Sequence, residues 1–183
     1  MFLNIITPSC RPGNLHRISQ SINIPRENYR WIVVFDSEEL PDPSFIPENC
    51  EAYAHKNPNS ISGNSQRNFA IDMIEEGFVY FNDDDTTLHP ELWDHVKDFD
   101  VNSTDILTFS QSFPDGSLRL DGRTIAVNHT DSHNFIVNRK IVKDTRWELD
   151  LYAADGVFAQ TCALKSKNGF YIPKVLSIYN TLR

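Results

Sequence analysis

The sequence predicts an α/β fold: a mostly parallel sheet flanked by helices, with a small antiparallel part in the C-terminal half. Three observations predict it. Uninterrupted apolar runs such as WIVVF (31–35) and FVYF (78–81) have the pattern of strands buried on both faces. Segments with apolar residues at helical spacing alternate with these runs. Beyond residue 105 that order gives way to strand-like stretches broken by Asp-Gly turns.

Each element follows in order. Residues 2–7 are apolar and rich in isoleucine, a buried strand expected to stop at Pro8. Pro12 opens a segment with Leu15, Ile18 and Ile22 at helical spacing. Residues 31–35 form the second strand, closed by Asp36, and the proline-rich, acidic SEELPDPSFIPEN is a surface loop. Residues 51–55 are a weaker strand. Asn64 or Ser65 caps a helix that turns Phe69, Ala70, Met73 and Ile74 inward and ends at Gly77. The strand 78–81 leads into Asp83, Asp84 and Asp85, and a helix beginning near Pro90 carries Leu92, Trp93, Val96 and Phe99 on one face. The order to this point is β-α-β-β-α-β-α. ILTFSQSF, LRLDGRTIAV and NFIVNRK are then strands, with turns at Asp115-Gly116 and Asp121-Gly122. Residues 153–164 are helical and 170–178 form a last strand.

A chain of 183 residues, 40% hydrophobic, is long enough for one well-cored domain, and no linker or repeat divides it. Its net charge of −8 argues against a nucleic-acid or anionic-membrane surface, although a site can be locally basic. No apolar run is long enough to span a bilayer, and no leader is evident, so a cytoplasmic protein is expected. Cys10, Cys50 and Cys162 have no metal-like spacing and are expected to be reduced and mostly buried.

Polar groups collect where ligands bind open α/β sheets, at the carboxyl ends of the strands: Thr7 and Ser9, Asp36, and the aspartates 83–85. Any one of them alone is an ordinary turn residue. Together, with three adjacent carboxylates, they point to a site. Asp83 and Asp85 can converge on a hard cation, Mn2+ or Mg2+, which would relieve their repulsion and could neutralise a diphosphate. GNSQRNFA (63–70) offers a helix N-terminus with Arg67, suited to an anion; the plainer alternative is an Arg67 ion pair with the aspartates.

The blocks ITPS with Arg11, WIVVFD, GNSQRNFAID and GFVYFNDDDTTLHPELWD, in that order, resemble glycosyltransferases of the GT-A (Rossmann-like) fold. The wording is most similar to the β-1,3-glucuronosyltransferase family, with family-2-like inverting enzymes as wider kin. The resemblance is good over the first half and thinner through DSHNFIVNRKIV and AADGVF. It implies a metal-dependent, inverting, hexosyl- or glucuronosyl-type transferase with a UDP-sugar donor and a carbohydrate or other hydroxyl acceptor. Residues 1–100 would be the nucleotide-sugar half and 101–183 the acceptor and catalytic half. Thr7, Pro8, Ser9 and Asp36 would line the nucleoside pocket with Arg11 nearby; Asn64 and Arg67 would face the donor. Asp83 and Asp84 would contact ribose or sugar, and Asp85, with Asp83, would hold the metal of a DxD motif. Asp155 would be the base that deprotonates the acceptor; as a plain helix N-cap it needs no such role. The family's C-terminal metal-binding histidine is missing, which leaves water, the diphosphate, Tyr179 or Asn180 to complete the shell. His129, His133 and Trp147 could border the acceptor.

Two other functions compete. Asp83, Asp85 and Thr87 also fit the DxDxT of a haloacid-dehalogenase-like phosphatase, with Lys165 and Asp155 as its other parts. A non-catalytic nucleotide-sugar-binding module is the third.

Overall fold

A computed structural model describes residues 1–183. The apolar runs form β1 (Leu3–Ser9), β2 (Tyr29–Phe35), β3 (Glu51–Ala54) and β4 (Phe78–Phe81), linked by α1 (Leu15–Ser21) and α2 (Asn64–Asp72). After α3 (Leu92–Val96) come β5 (Ile106–Ser112), β6 (Leu118–Leu120), β7 (Phe135–Asn138), α4 (Arg139–Val142), α5 (Ala154–Lys165) and β8 (Gly169–Ile178). The strands lie in one sheet in the order β3-β2-β1-β4-β7-β5-β6, with β8 also beside β5. Pairings β1–β2, β2–β3, β1–β4 and β5–β8 are parallel. The strand β7 enters antiparallel between β4 and β5, and β6 pairs antiparallel with β5.

Alternation along the strands splits the core into two layers. Ile5, Trp31, Val33, Phe78 and Tyr80 pack with Leu15 and Ile18 of α1 and Leu92 and Val96 of α3. Ile6, Ile32, Val34, Val79 and Phe81 pack with Ala70 and Ile71 of α2, Val142 of α4 and Phe158 of α5. Both faces of β2 and β4 are covered, so these strands have no polar side to show. Each fully buried large aliphatic or Phe side chain contributes roughly 1.5–3 kcal/mol of transfer free energy.

Five local expectations need correction. The strand β1 runs through Pro8 to Ser9: its β4 side is paired only as far as Ile6, so the missing Pro8 N–H breaks no ladder bond. Gly63, not Asn64 or Ser65, is the N-cap of α2, and the helix ends at Asp72 rather than Gly77. The helix after Pro90 is only five residues long. LRLDGRTIAV is a strand for three residues, because the Asp121 side chain accepts from the Arg123 N–H and turns the chain. NFIVNRK changes to helix at Asn138, whose side chain accepts from the Lys140 N–H and caps α4.

Candidate active site

The carboxyl ends of β1, β2 and β4 open on a cavity of about 540 Å³, closed on its other sides by the start of α2, residues 128–133, residues 147–155 and the segment after β8. The position is the one an open α/β sheet reserves for ligands.

The three aspartates after β4 have three different environments. Asp84 points back to the end of β1. Its Oδ2 accepts from the Cys10 N–H at 2.7 Å, the Arg11 N–H at 2.6 Å and the Ser9 hydroxyl at 3.1 Å, while Arg11 Nη1 lies 2.6 Å from Oδ1. Successive backbone N–H groups form a nest for its charge. Asp85 Oδ2 is approached by Arg183 Nε at 2.7 Å and Arg11 Nη1 at 3.5 Å, and Oδ1 accepts from the Thr86 hydroxyl. Asp83 pairs with Arg67 through Oδ1 and accepts from the Ser132 hydroxyl at 3.1 Å through Oδ2. Arginines therefore balance a cluster that would repel itself.

Arg67 reaches Asp83 because α2 starts where it does. Gly63 has φ 76°, and a Cβ there would lie 2.6 Å from Pro8 Cβ, so only glycine lets the helix start this close to β1. Arg67 is buried, donates to Ser62 O at 2.7 Å and stacks on the Trp147 ring 4.5 Å from its centroid. Asn64 Nδ2 is committed to Glu148 O and Leu151 O. Gln66 Nε2 donates to Asp36 Oδ1 at 3.1 Å, and Lys56 Nζ lies 3.1 Å from the same oxygen.

Behind the aspartates lie the buried His133 and Asp131. His133 Nε2 accepts from the Asp83 N–H at 2.8 Å, and Nδ1 lies 3.1 Å from Asp131 Oδ1. With Nε2 accepting, the neutral ring carries its proton on Nδ1, on the side of Asp131. Burial opposes protonation of His133, but the Asp83 and Asp131 carboxylates outweigh it and raise its pKa. Burial likewise acts to raise the Asp131 pKa, yet His133 and Arg119 hold it well below the usual carboxylate range. Arg119 donates to Asp131 Oδ2 at 2.9 Å and stacks on Tyr179.

Asp155 stands in the first turn of α5 and lines the same cavity; Ala153 is the N-cap, so Asp155 is not. Its Oδ1 accepts only the neighbouring Gly156 N–H, at 2.7 Å. Burial pushes its pKa up to about 6, helped by Asp131 and Asp83 and opposed by the Gly156 bond and Arg67. A carboxylate titrating there is ionised at neutral pH and still a competent proton acceptor.

The cavity thus gathers Pro8, Ser9, Arg11, Asp36, Asn64, Arg67, Asp83, Asp84, Asp85 and Asp155. Thr7 is the exception: it is buried beneath, its hydroxyl accepting from Trp31 Nε1 at 2.9 Å. Asp84 lines the cavity, where the sugar contact was expected, and its oxygens are bonded to residues 9–11. Tyr179, Asn180, His133 and Trp147 line the cavity, the last two almost fully buried, and His129 does not. Cys10 is exposed at the cavity, against expectation, and partial desolvation of its thiol with Asp84 nearby raises its pKa, which disfavours a nucleophilic thiolate. Sequence reasoning missed Gln66, Arg119, Asp131, Ser132, Tyr152 and Arg183. Only Asp131 carried a local signal, the DSHN capping box it forms with Asn134.

The phosphatase constellation does not assemble. Thr87 is bonded to Thr181, and Lys165 to Asp144 O and Thr145, both outside the cavity.

No three acidic or histidine side chains converge as a ready-made metal site. Asp85 nevertheless has the hard oxygen chemistry a divalent cation needs, and its Oδ2 already attracts two guanidinium groups. The residues fit a metal bound through Asp85, with Asp83 as the second candidate and the remaining ligands from outside the protein.

No family model and no curated protein sequence matches the chain. Solved structures do. Residues 1–349 of TarS from S. aureus superpose with a TM-score of 0.79 at 17% identity, covering 97% of this chain and 60% of that one. The same protein in complex with UDP-GlcNAc gives 0.75 at 17%, over 97% of this chain and 58% of that one. A mannosyltransferase from Pyrobaculum calidifontis, solved with GDP-Man and Mn2+, gives 0.71 at 12%, over 97% and 56%. The chain has the GT-A fold and spans about 60% of the length of these neighbours. The narrower likeness to β-1,3-glucuronosyltransferases rests on the sequence blocks alone.

Proposed function

We propose that the chain is the nucleotide-sugar-binding and catalytic unit of an inverting glycosyltransferase with a nucleoside-diphosphate-sugar donor, UDP-sugar first. One observation carries the reading: a single cavity at the strand ends holds the acidic cluster, its arginines and an isolated carboxylate of raised pKa. The structural neighbours solved with UDP-GlcNAc and with GDP-Man support the donor class.

In this reading Pro8, Asp36 and Gln66 border the nucleoside, and Arg11 and Arg183 shift from the aspartates toward the diphosphate. Asp85, with Asp83, would hold Mn2+ or Mg2+, as the neighbour solved with Mn2+ supports. A bound cation supplies charge neutralisation for the departing diphosphate. Arg67 holds Asp83 in place from α2. Asp155 takes the proton of the acceptor hydroxyl. That oxygen bonds to the anomeric carbon while the bond from this carbon to the diphosphate oxygen breaks, inverting the centre. The proton ends on Asp155 and the electron pair on the leaving diphosphate.

The test is a thermal-shift and calorimetric screen of UDP, GDP and their sugars with and without Mn2+. Binding strengthened by Mn2+ and weakened in Asp85→Ala is the expected result. Metal-independent binding untouched by Asp85→Ala would overturn the metal assignment, and binding of no nucleotide would overturn the function.

A further inference from the structure

Beside Asp155, at and next to the cavity mouth, apolar side chains face outward among the exposed carboxylates Glu148 and Asp150. Tyr152 lines the cavity and is 86% exposed, and Ile61, Leu149 and Leu151 are 44%, 37% and 37% exposed. These are not scattered surface residues, because the Ile61 N–H donates to Leu149 O at 2.9 Å and joins the two loops that carry them. The patch is also fixed to the donor side. Asn64 Nδ2 donates to Glu148 O at 2.7 Å and Leu151 O at 3.1 Å. Asn68 exchanges two bonds with the Trp147 backbone, at 2.8 and 2.9 Å. Loops tied by these hydrogen bonds thus present an aromatic ring to solvent three residues before the proposed base.

An occupant of this corner must offer an apolar surface to Tyr152 and a hydroxyl to Asp155. It must also tolerate the polar lining contributed by Arg119, Asn128 and Thr130. A pyranose ring does all of this. Its C–H face suits the electron-rich face of an aromatic ring, and its edge is lined with hydroxyls. An open-chain polyol has no persistent apolar face, and an acyl chain makes no use of the polar lining. We propose that Tyr152 is the acceptor platform and that the acceptor is a pyranoside, stacked on Tyr152 with one hydroxyl at Asp155. The proposal rests on the glycosyltransferase reading of the cavity.

The experiment compares methyl pyranosides with alditols of matched size as acceptors. UDP- and GDP-sugars with Mn2+ serve as donors, and nucleoside diphosphate release is measured in wild type, Tyr152→Phe and Tyr152→Ala. Transfer to a pyranoside and not to alditols is expected. Tyr152→Phe keeps the acceptor KM within about twofold, and Tyr152→Ala raises it about tenfold, with the loss in KM rather than kcat. A wild-type acceptor KM in Tyr152→Ala, or alditols used as well as pyranosides, overturns the proposal. Where no acceptor turns over, saturation-transfer NMR of the methyl pyranosides on nucleotide-loaded protein decides. No signal on protein that binds UDP or GDP overturns the platform, whereas failure to bind either nucleotide overturns the transferase reading beneath it.

Discussion

Asp155 and Asp84 are both carboxylates on the cavity, and their surroundings are opposite. Asp155 has one local partner, the Gly156 N–H, and a pKa raised to about 6 by burial, which suits it to exchange a proton. The rate of transfer should therefore rise with pH through about 6 and level off above it, and Asp155→Asn should abolish transfer while nucleotide still binds. The sign for stability is the reverse. A carboxyl that is harder to ionise when folded stabilises the protein fully below its ordinary pKa near 3.8 and loses that contribution as pH rises through about 6. At pH 7.5 Asp155→Asn should melt higher than wild type, by an amount of order 1–2 kcal/mol, and the gain should vanish at pH 4. A scan of melting temperature against pH for both proteins checks it. Asp84 instead has four donors and no freedom. Asparagine offers one oxygen and sets an N–H₂ group against those donors. Asp84→Asn should lose about 2–3 kcal/mol of stability in urea titration, since buried hydrogen bonds to a charged group cost most when one partner is removed.

At the scale of the element, α2 carries more of the site than its length implies. Its first residues are polar and buried: Gln66 ties to Asp36, Arg67 to Asp83, and Asn64 to the loop before α5. All of this depends on the entry at Gly63. Gly63→Ala adds a Cβ at positive φ against Pro8, and the helix start must move away from β1. The expected result is a loss of about 1–3 kcal/mol together with weakened nucleotide binding, whereas a surface Gly13→Ala, which meets open space, should change neither. Parallel thermal melts and nucleotide titrations separate the two. At the other wall, Gly156 lets the 126–127 backbone rest on the start of α5, where a Cβ would lie 2.6 Å from Val127 Cα.

On the scale of the whole molecule, the two halves share one sheet. The strand β7 is inserted between β4 and β5, and Phe158 of α5 packs edge-on against Phe81 of β4 at 5.3 Å between ring centroids. We therefore expect residues 1–100 and 101–183 to unfold as one unit. Far-UV circular dichroism and tryptophan fluorescence, reporting from Trp31, Trp93 and Trp147, should give coincident urea transitions. Two separated transitions would show independent halves.

Local chemistry made much of this legible in the chain itself. Strands buried on both faces have no polar side, so WIVVF and FVYF announced a helix-covered sheet, and carboxylates at their ends marked where the cavity opens. What failed were features set by partners distant in sequence. The run through Pro8 depends on how far β4 extends beside it, and the early start of α2 depends on Pro8 lying against Gly63. The division of labour within the triple aspartate depends on Arg11, Arg67, His133 and Arg183, which lie at least 16 residues away along the chain. Composition and periodicity act between neighbours and so determined the layers and the place of the site. Which carboxylate is held by four donors, which meets the guanidinium groups of Arg11 and Arg183 and which is left with a raised pKa was decided only by the tertiary structure, because charge and desolvation act through space and not along the sequence.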